Sequence, residues 1–546
     1  MLSSRSRGRL KRSWGVLGAL AFVLAVSAAV AVPPSAAMGT VPTSAAPPAE
    51  AAPSPDPSAP EPPIEAEIPE LARRDTDRDR RALVDVKRHP RPYVVADAGG
   101  AGRVLVLPPA AHPYDLAAVA RQVPSSFTWL DGDRLVLEDS LVVAPGAALV
   151  VDSTTVGSLL LASDATGYRS IRSVNSSLTF QGHANRTLVV SSFDRSTGGA
   201  DGDRSDGRAY ILTLGGRMLV NATRVDSLGF SSTGMTSGVA WVALDGRAAT
   251  GGARGSTFVR NYFGAYTAGA QGLRFDRAAF LENVVYGFDP HTATTDTLVT
   301  HSRAESNGRH GFIFSEGCNR NVVRDSTASR NGGAGFMIDD GTTGTGLGRP
   351  SDGNRFIRVS AKDNGQAGII IEGGTGNTVE DSRTEGQDYG IWVRNGAAET
   401  GLSANHIAGA VIAGIRLGPG LGETEVAGNA IRGGPVAIRS EGGSATWISG
   451  GRITDTTRIV LRLDGDQRRA RFSDLSIAAP RAHEVELRGV KTTIQELTHP
   501  AHSSSGHSTH WSLVSMLHRL VFVLWALILL PTIVTRLGSK RLRTVT

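Results

Sequence analysis

The stretch that decides the fold runs Asn307-Gly308-Arg309-His310-Gly311-Phe312-Ile313-Phe314, and it returns as Asn331-Gly332-Gly333-Ala334-Gly335-Phe336-Met337-Ile338. Further returns are Gly287-Phe288, Gly368-Ile369-Ile370-Ile371, Gly390-Ile391-Trp392-Val393, Gly414-Ile415-Arg416-Leu417 and Pro435-Val436-Ala437-Ile438. From glycine to glycine, ending on Ala437, the gaps are 24, 24, 33, 22, 24 and 23 residues. The one long gap holds a Gly/Thr/Pro insert, Gly341 to Asp352, which reads as a bulging loop. A period of this length marks an array whose units need their neighbours. Short apolar triplets, Asn-Gly turns and no helical periodicity make the units strands. A leucine-rich repeat would need a leucine ladder, which is absent. The fold class is therefore all-β, a right-handed parallel β-helix.

Stacking turns equal offsets into columns spaced by about 4.8 Å, the distance between paired strands. One and three places after the glycine the chain is apolar, so those side chains are expected inside. Four places after it stand His291, Ser315, Asp339, Glu372 and Arg394; five places after it stand Thr292, Glu316 and Asp340. Two places after it stand Asp289, Ile313, Met337, Ile370, Trp392 and Arg416. These columns predict a long exposed groove suited to an extended polymer.

Tyr286-Gly287-Phe288-Asp289-Pro290-His291 opens the best-formed part of the array. It resembles the YGFDPH motif of the mannuronan C5-epimerases, which invert uronates inside polymeric alginate. The likeness covers roughly residues 205–400 and is densest at 250–340; Asn307–Ser315 and Asn331–Asp340 look like that family's next two coils. Inverting a uronate at C5 needs a base on one sugar face, a proton donor on the other, and neutralisation of the carboxylate. The resemblance implies His291 as base, Tyr286 as donor and Asp289 as an orienting carboxylate, with a nearby cation on the substrate carboxylate. Two positions depart from the family pattern. Thr292 stands where an acid usually follows the histidine, and Glu316 stands where an arginine usually follows the serine. Arg254, read as part of a turn one or two coils upstream, is expected to supply the missing cation, with Arg309 and Arg320 in reserve. Ser315, Asp339, Glu372 and Trp392 complete the expected substrate-binding set. No metal or other cofactor is expected.

Composition narrows the classes. The formal charge is +6, but five cations lie within residues 1–12 and five more from Arg519 onward. Removing those ten leaves −4, so no basic field supports nucleic-acid binding. Between residues 250 and 330 nine arginines face seven acids. A single cysteine, Cys318, excludes an internal disulfide and a cysteine metal cluster.

The ends read as membrane-directed. Residues 1–35 form a basic, then apolar, signal peptide or signal anchor. Residues 36–75 are a Pro/Ala-rich linker. Residues 76–134 are a connector and N-terminal cap, with Arg73–Arg91 as a solvated charged run and a short helix within Pro113–Val123. The β-helix is expected over 135–497 and a linker over 498–510. Residues 511–535 are expected to form a transmembrane helix, with 536–546 as a basic cytoplasmic tail. The β-helix then faces the outside of the cell membrane, with an anionic polysaccharide as partner. Three functions fit: a cell-surface C5-epimerase of a uronate polymer, a polysaccharide lyase on the same fold, and a non-catalytic glycan-binding or envelope scaffold, the last suggested by Thr292 and Glu316.

Overall fold

The computed structural model describes residues 69–488, apart from 97–101, 232–234, 342–347 and 468. The signal segment, most of the linker, the segment read as a transmembrane helix and the basic tail lie outside these residues. Among the described residues no helix is long and apolar enough to cross a membrane. The chain divides into two compact units, Met1–Thr498 and His499–Thr546. Every described residue belongs to the first.

Each coil gives one strand to a 16-stranded sheet, sheet I, and two to a 28-stranded sheet, sheet II. Arg274–Asp276 and Ala279–Leu281 lie in sheet II and lead to Phe288–His291 in sheet I. One coil on, Leu298–Thr300, Arg303–Glu305 and Phe312–Phe314 pair with them in parallel. Parallel pairing begins earlier than expected, where Arg103–Leu107 pairs with Ser140–Val143. The last strand is His483–Arg488.

The interior follows the triplets. Phe312, Phe314, Phe336, Ile338, Ile369, Ile371, Ile391 and Val393 are fully buried in one core cluster. The Phe312 and Phe336 rings stack with centroids 5.1 Å apart and planes 4° from parallel. The Asn-Gly positions do more than turn the chain. Asn283, Asn307, Asn331 and Asn364 are buried, and each side-chain amide donates to the next at 2.8, 2.8 and 2.9 Å. A ladder of this kind satisfies buried polar groups that would otherwise cost stability.

Two sequence expectations are corrected. The outward-facing side chains of sheet I do not line an open groove. Ile313, Met337, Ile370 and Trp392 join Tyr266, Tyr286 and Tyr389 in a second apolar cluster, none of them more than 8% exposed. Sheet I is thus apolar on both faces, the pattern of a parallel sheet covered on both sides. Nor is the Arg73–Arg91 run solvated throughout: Asp75, Arg78, Asp79 and Ala82 are buried, while Lys87 to Arg91 are exposed. Pro69–Val84 is a helix whose Ala82 packs on Val104, Val106 and Val142 of sheet I. Its Asp75 accepts from Tyr210 Oη at 2.6 Å and Tyr168 Oη at 3.1 Å, and its Asp79 pairs with buried Arg172. The later helix, Leu116–Gln122, is capped by Asp115, which accepts from Ala118 N at 2.8 Å.

The glycines that open the central strands of sheet I have no room for a side chain. A Cβ on Gly311 would stand 2.6 Å from Gly335 O and 2.9 Å from Asn331 Nδ2. Gly311→Ala is expected to destabilise the coils around it by about 1–3 kcal/mol, the usual cost of overpacking. Urea unfolding followed by circular dichroism checks this; an unchanged midpoint would contradict the close approach.

Candidate functional site

His291 ends the Phe288–His291 strand, beside Ala268 of the preceding coil. Ser315 N donates to Pro290 O at 3.0 Å, and Asp339 N donates to Phe314 O at 2.8 Å. Ile338 pairs with Ile371, and Glu372 with Arg394. His291, Ser315, Asp339, Glu372 and Arg394 therefore do form one column. It is not an exposed one: His291 keeps 28% of its side chain accessible, whereas Ser315 and Glu372 are buried.

The chain turns sharply after the histidine, with left-handed φ of 32° at Thr292 and 55° at Ala293. A β-branched residue there is unusual, and such outliers gather at functional sites. The turn brings Thr292 Oγ1 to 2.7 Å from His291 Nδ1. The same hydroxyl donates to Glu316 Oε2 at 3.2 Å. The Tyr266 ring lies against the imidazole, centroids 5.7 Å apart and planes 26° from parallel. Burial holds the His291 pKa below the ordinary histidine value, and Glu316 partly offsets this.

Asp289, two residues back on the same strand, is 1% exposed, and its Oδ1 has no hydrogen-bond partner among the described residues. Burial, then the carboxylates of Asp339 and Glu316, push its pKa well above the ordinary aspartate value. Asp339 is pushed up to about 6 by burial, with Glu372 and Asp340 adding to the rise; the hydrogen bond from Gly341 N, 2.9 Å long, opposes it. Burial thus acts on this strand in opposite senses, lowering the proton affinity of the histidine and raising that of the carboxyl. Beneath them Cys318 is buried, and its thiol donates to Pro290 O at 3.3 Å.

The other predicted residues scatter. Tyr286 stacks between Phe263 and His310, with centroids 5.4 Å away on each side. It lies in the connection that precedes the Phe288–His291 strand, whereas His291 ends that strand. Arg254 does not reach the site. It lies in the Thr250–Arg254 strand of sheet II, exposed, 3.7 Å from Asp276. The reading as a turn near His291 fails because Gly251 and Gly252 continue the strand, paired with Met218 and Leu219. Arg320 is held by Asp296 through two bonds of 2.9 Å. Arg309 is half-buried in the connection before Phe312–Phe314. Glu372 is bound by Arg394 at 2.6 Å and by Asn395. Trp392 is overlain by the Arg394 and Arg416 guanidiniums, 4.4 and 4.5 Å from its ring. Asp339, Asp340 and Glu372 each offer a carboxylate oxygen, all within 4.8 Å of one another, a set that suits a hard divalent cation.

Sequence reasoning missed Tyr266 and the Thr292–Glu316 contact. Tyr266 sits two places after Gly264, the same offset as Asp289, but its triplet lacks the bulky apolar pair that marked the later coils.

The comparisons agree on the fold. Residues 230–349 match the family described as right-handed β-helix region, and residues 291–460 match the family described as periplasmic copper-binding protein (NosD). No curated protein sequence matches the chain. Among solved structures, the periplasmic alginate epimerase AlgG superposes with a TM-score of 0.56 at 16% identity, over 71% of this chain and 93% of that one. A point variant of AlgG gives 0.55 at 16% identity, over 69% and 85%. At that identity the likeness establishes a shared right-handed β-helix.

The protonation of Asp289 is open to measurement. A carboxyl whose pKa is raised on folding binds its proton more tightly in the native state. Its contribution to stability is therefore present at low pH and lost as pH rises from about 4 through the folded value. Asp289→Asn removes that loss. The variant is expected to match the wild type near pH 4 and to gain on it by about 1.4 kcal/mol per unit of raised pKa as pH rises. Thermal melts from pH 4 to 8 check this, and parallel curves would show an ordinary Asp289.

Proposed function

We propose that this protein inverts uronate residues at C5 within an anionic polysaccharide. The observation that carries the reading is His291 beside Asp289 on one face of one strand, where burial lowers the proton affinity of the base and raises that of the acid. It lies within the motif that resembles the mannuronan epimerases, on the fold of a periplasmic alginate epimerase. His291 Nε2 takes the C5 proton, and the C–H electron pair moves into the substrate carboxylate. Asp289, buried two residues before the base on the same face of the strand, is the orienting group, the part the resemblance gives it. A tyrosine returns a proton to the opposite face. Tyr286, in the connection before the strand, and Tyr266, beside His291, are the two phenols we consider for that step.

We place the action outside the cytoplasm. The basic-then-apolar first residues, and the periplasmic setting named for both AlgG and NosD, support that location.

The test is incubation of the purified protein with polymannuronate and other polyuronates in deuterated water, read by NMR. Deuterium at C5 with inversion is expected, and His291→Ala should lower it by about 10²–10⁴-fold. Unsaturated chain ends would make the protein a lyase. Binding with neither product would make it a glycan-binding scaffold.

A further inference from the structure

We propose that Thr292 and Glu316 form a positioning relay that fixes the His291 tautomer, leaving Nε2 as the free, proton-accepting nitrogen. The inference deepens the function proposed above and, in its activity arm, rests on it.

The geometry leaves one direction for the protons. Thr292 Oγ1 carries a single hydrogen, and it is spent on Glu316 Oε2 at 3.2 Å. The hydroxyl then has only lone pairs to offer His291 Nδ1 at 2.7 Å. Nδ1 must be the donor, so the proton of the neutral ring sits there. Glu316 Oε2 also stands 3.9 Å from Nδ1, close enough to favour the imidazolium once Nε2 has accepted a proton. A base oriented by a hydroxyl and a carboxylate behind it follows the logic by which catalytic histidines are held elsewhere.

The arrangement also accounts for both departures from the motif pattern. The acid missing directly after the histidine is supplied one coil on, at Glu316, and Thr292 spans the gap. Glu316 therefore serves the base. The backbone is shaped to this end. Thr292 and Glu316 both adopt left-handed φ, 32° and 52°, and Ala293 N donates to Glu316 O at 2.9 Å, stacking the two turns. Other groups around the ring are the Tyr266 phenol from the preceding coil, Asp289 on the same strand, and Asp339 two coils on. Only Thr292 is within hydrogen-bond distance of Nδ1 among the described residues.

Thr292→Val keeps the β-branched shape and removes the hydroxyl; Thr292→Ser keeps the hydroxyl; Glu316→Gln removes the charge. In ¹⁵N-labelled full-length protein, the wild-type His291 ring is expected to show a protonated Nδ1 and a bare Nε2 at pH 7. Thr292→Val should shift the population toward protonated Nε2, and Thr292→Ser should restore the wild-type pattern. In C5 exchange, Thr292→Val should lower kcat about 10–100-fold with little change in KM, as removal of an orienting partner does. Glu316→Gln should lower the plateau and move the acidic limb of the pH profile to lower pH, because Glu316 raises the histidine pKa. A wild-type ring protonated on Nε2, or a Thr292→Val ring unchanged from wild type, would overturn the relay. Protein that exchanges no polyuronate at all would defeat the functional reading, while the tautomer measurement would still decide the relay.

Discussion

No Cβ fits at the glycines that open the central strands of sheet I. Placed on Gly264, Gly287, Gly311, Gly335, Gly368, Gly390 or Gly414, it would meet a neighbouring atom at 2.2–2.9 Å. The coils from Gly264 to Gly414 must therefore enter the sheet at one register, and a slip of one residue would turn the core triplets outward. Register makes columns, and columns make the site. His291, Ser315 and Asp339 share a line because each stands four places after such a glycine. The stacked asparagine amides hold the turn before the strand to the same repeat.

The second consequence is dryness. With apolar residues on both faces of sheet I, polar groups placed there lose water. Burial acts in opposite senses on an acid and a base. It raises Asp289 and Asp339 and lowers His291, drawing the proton affinities of neighbouring acids and base toward one another. Glu316 is turned toward Thr292 and so lies beside the histidine of this face.

The β-helix was legible because its signal is periodic and redundant. Phe312 and Phe336 announce their stacking by their offset, and the inward triplets landed where the repeat placed them. What the repeat does not encode is what covers its outer face. Ile313 and Ile370 occupy positions that alternation assigns to the outside, and alternation says nothing of burial there. The Pro69–Val84 helix was misread because its acids and arginines look solvated in sequence. Their partners Arg172, Tyr168 and Tyr210 lie some 90 or more residues away, at separations of 93 and 135. Arg254 failed for a local reason, since a glycine pair suggested a turn where the chain stays extended. The shared face of His291 and Asp289 was legible, because their offsets fix it. The role of Thr292 was not legible, since it depends on a left-handed turn and a carboxylate one coil away.

The central claim is that burial on this face draws the proton affinities of neighbouring acids and base toward one another. The most direct measurement is the ¹³C shift of the Asp289 side-chain carboxyl, assigned by difference, across a titration from pH 3 to 9. The account predicts a carboxyl still protonated well above the ordinary aspartate range. A carboxyl that titrates near its ordinary value of about 3.9 would contradict it.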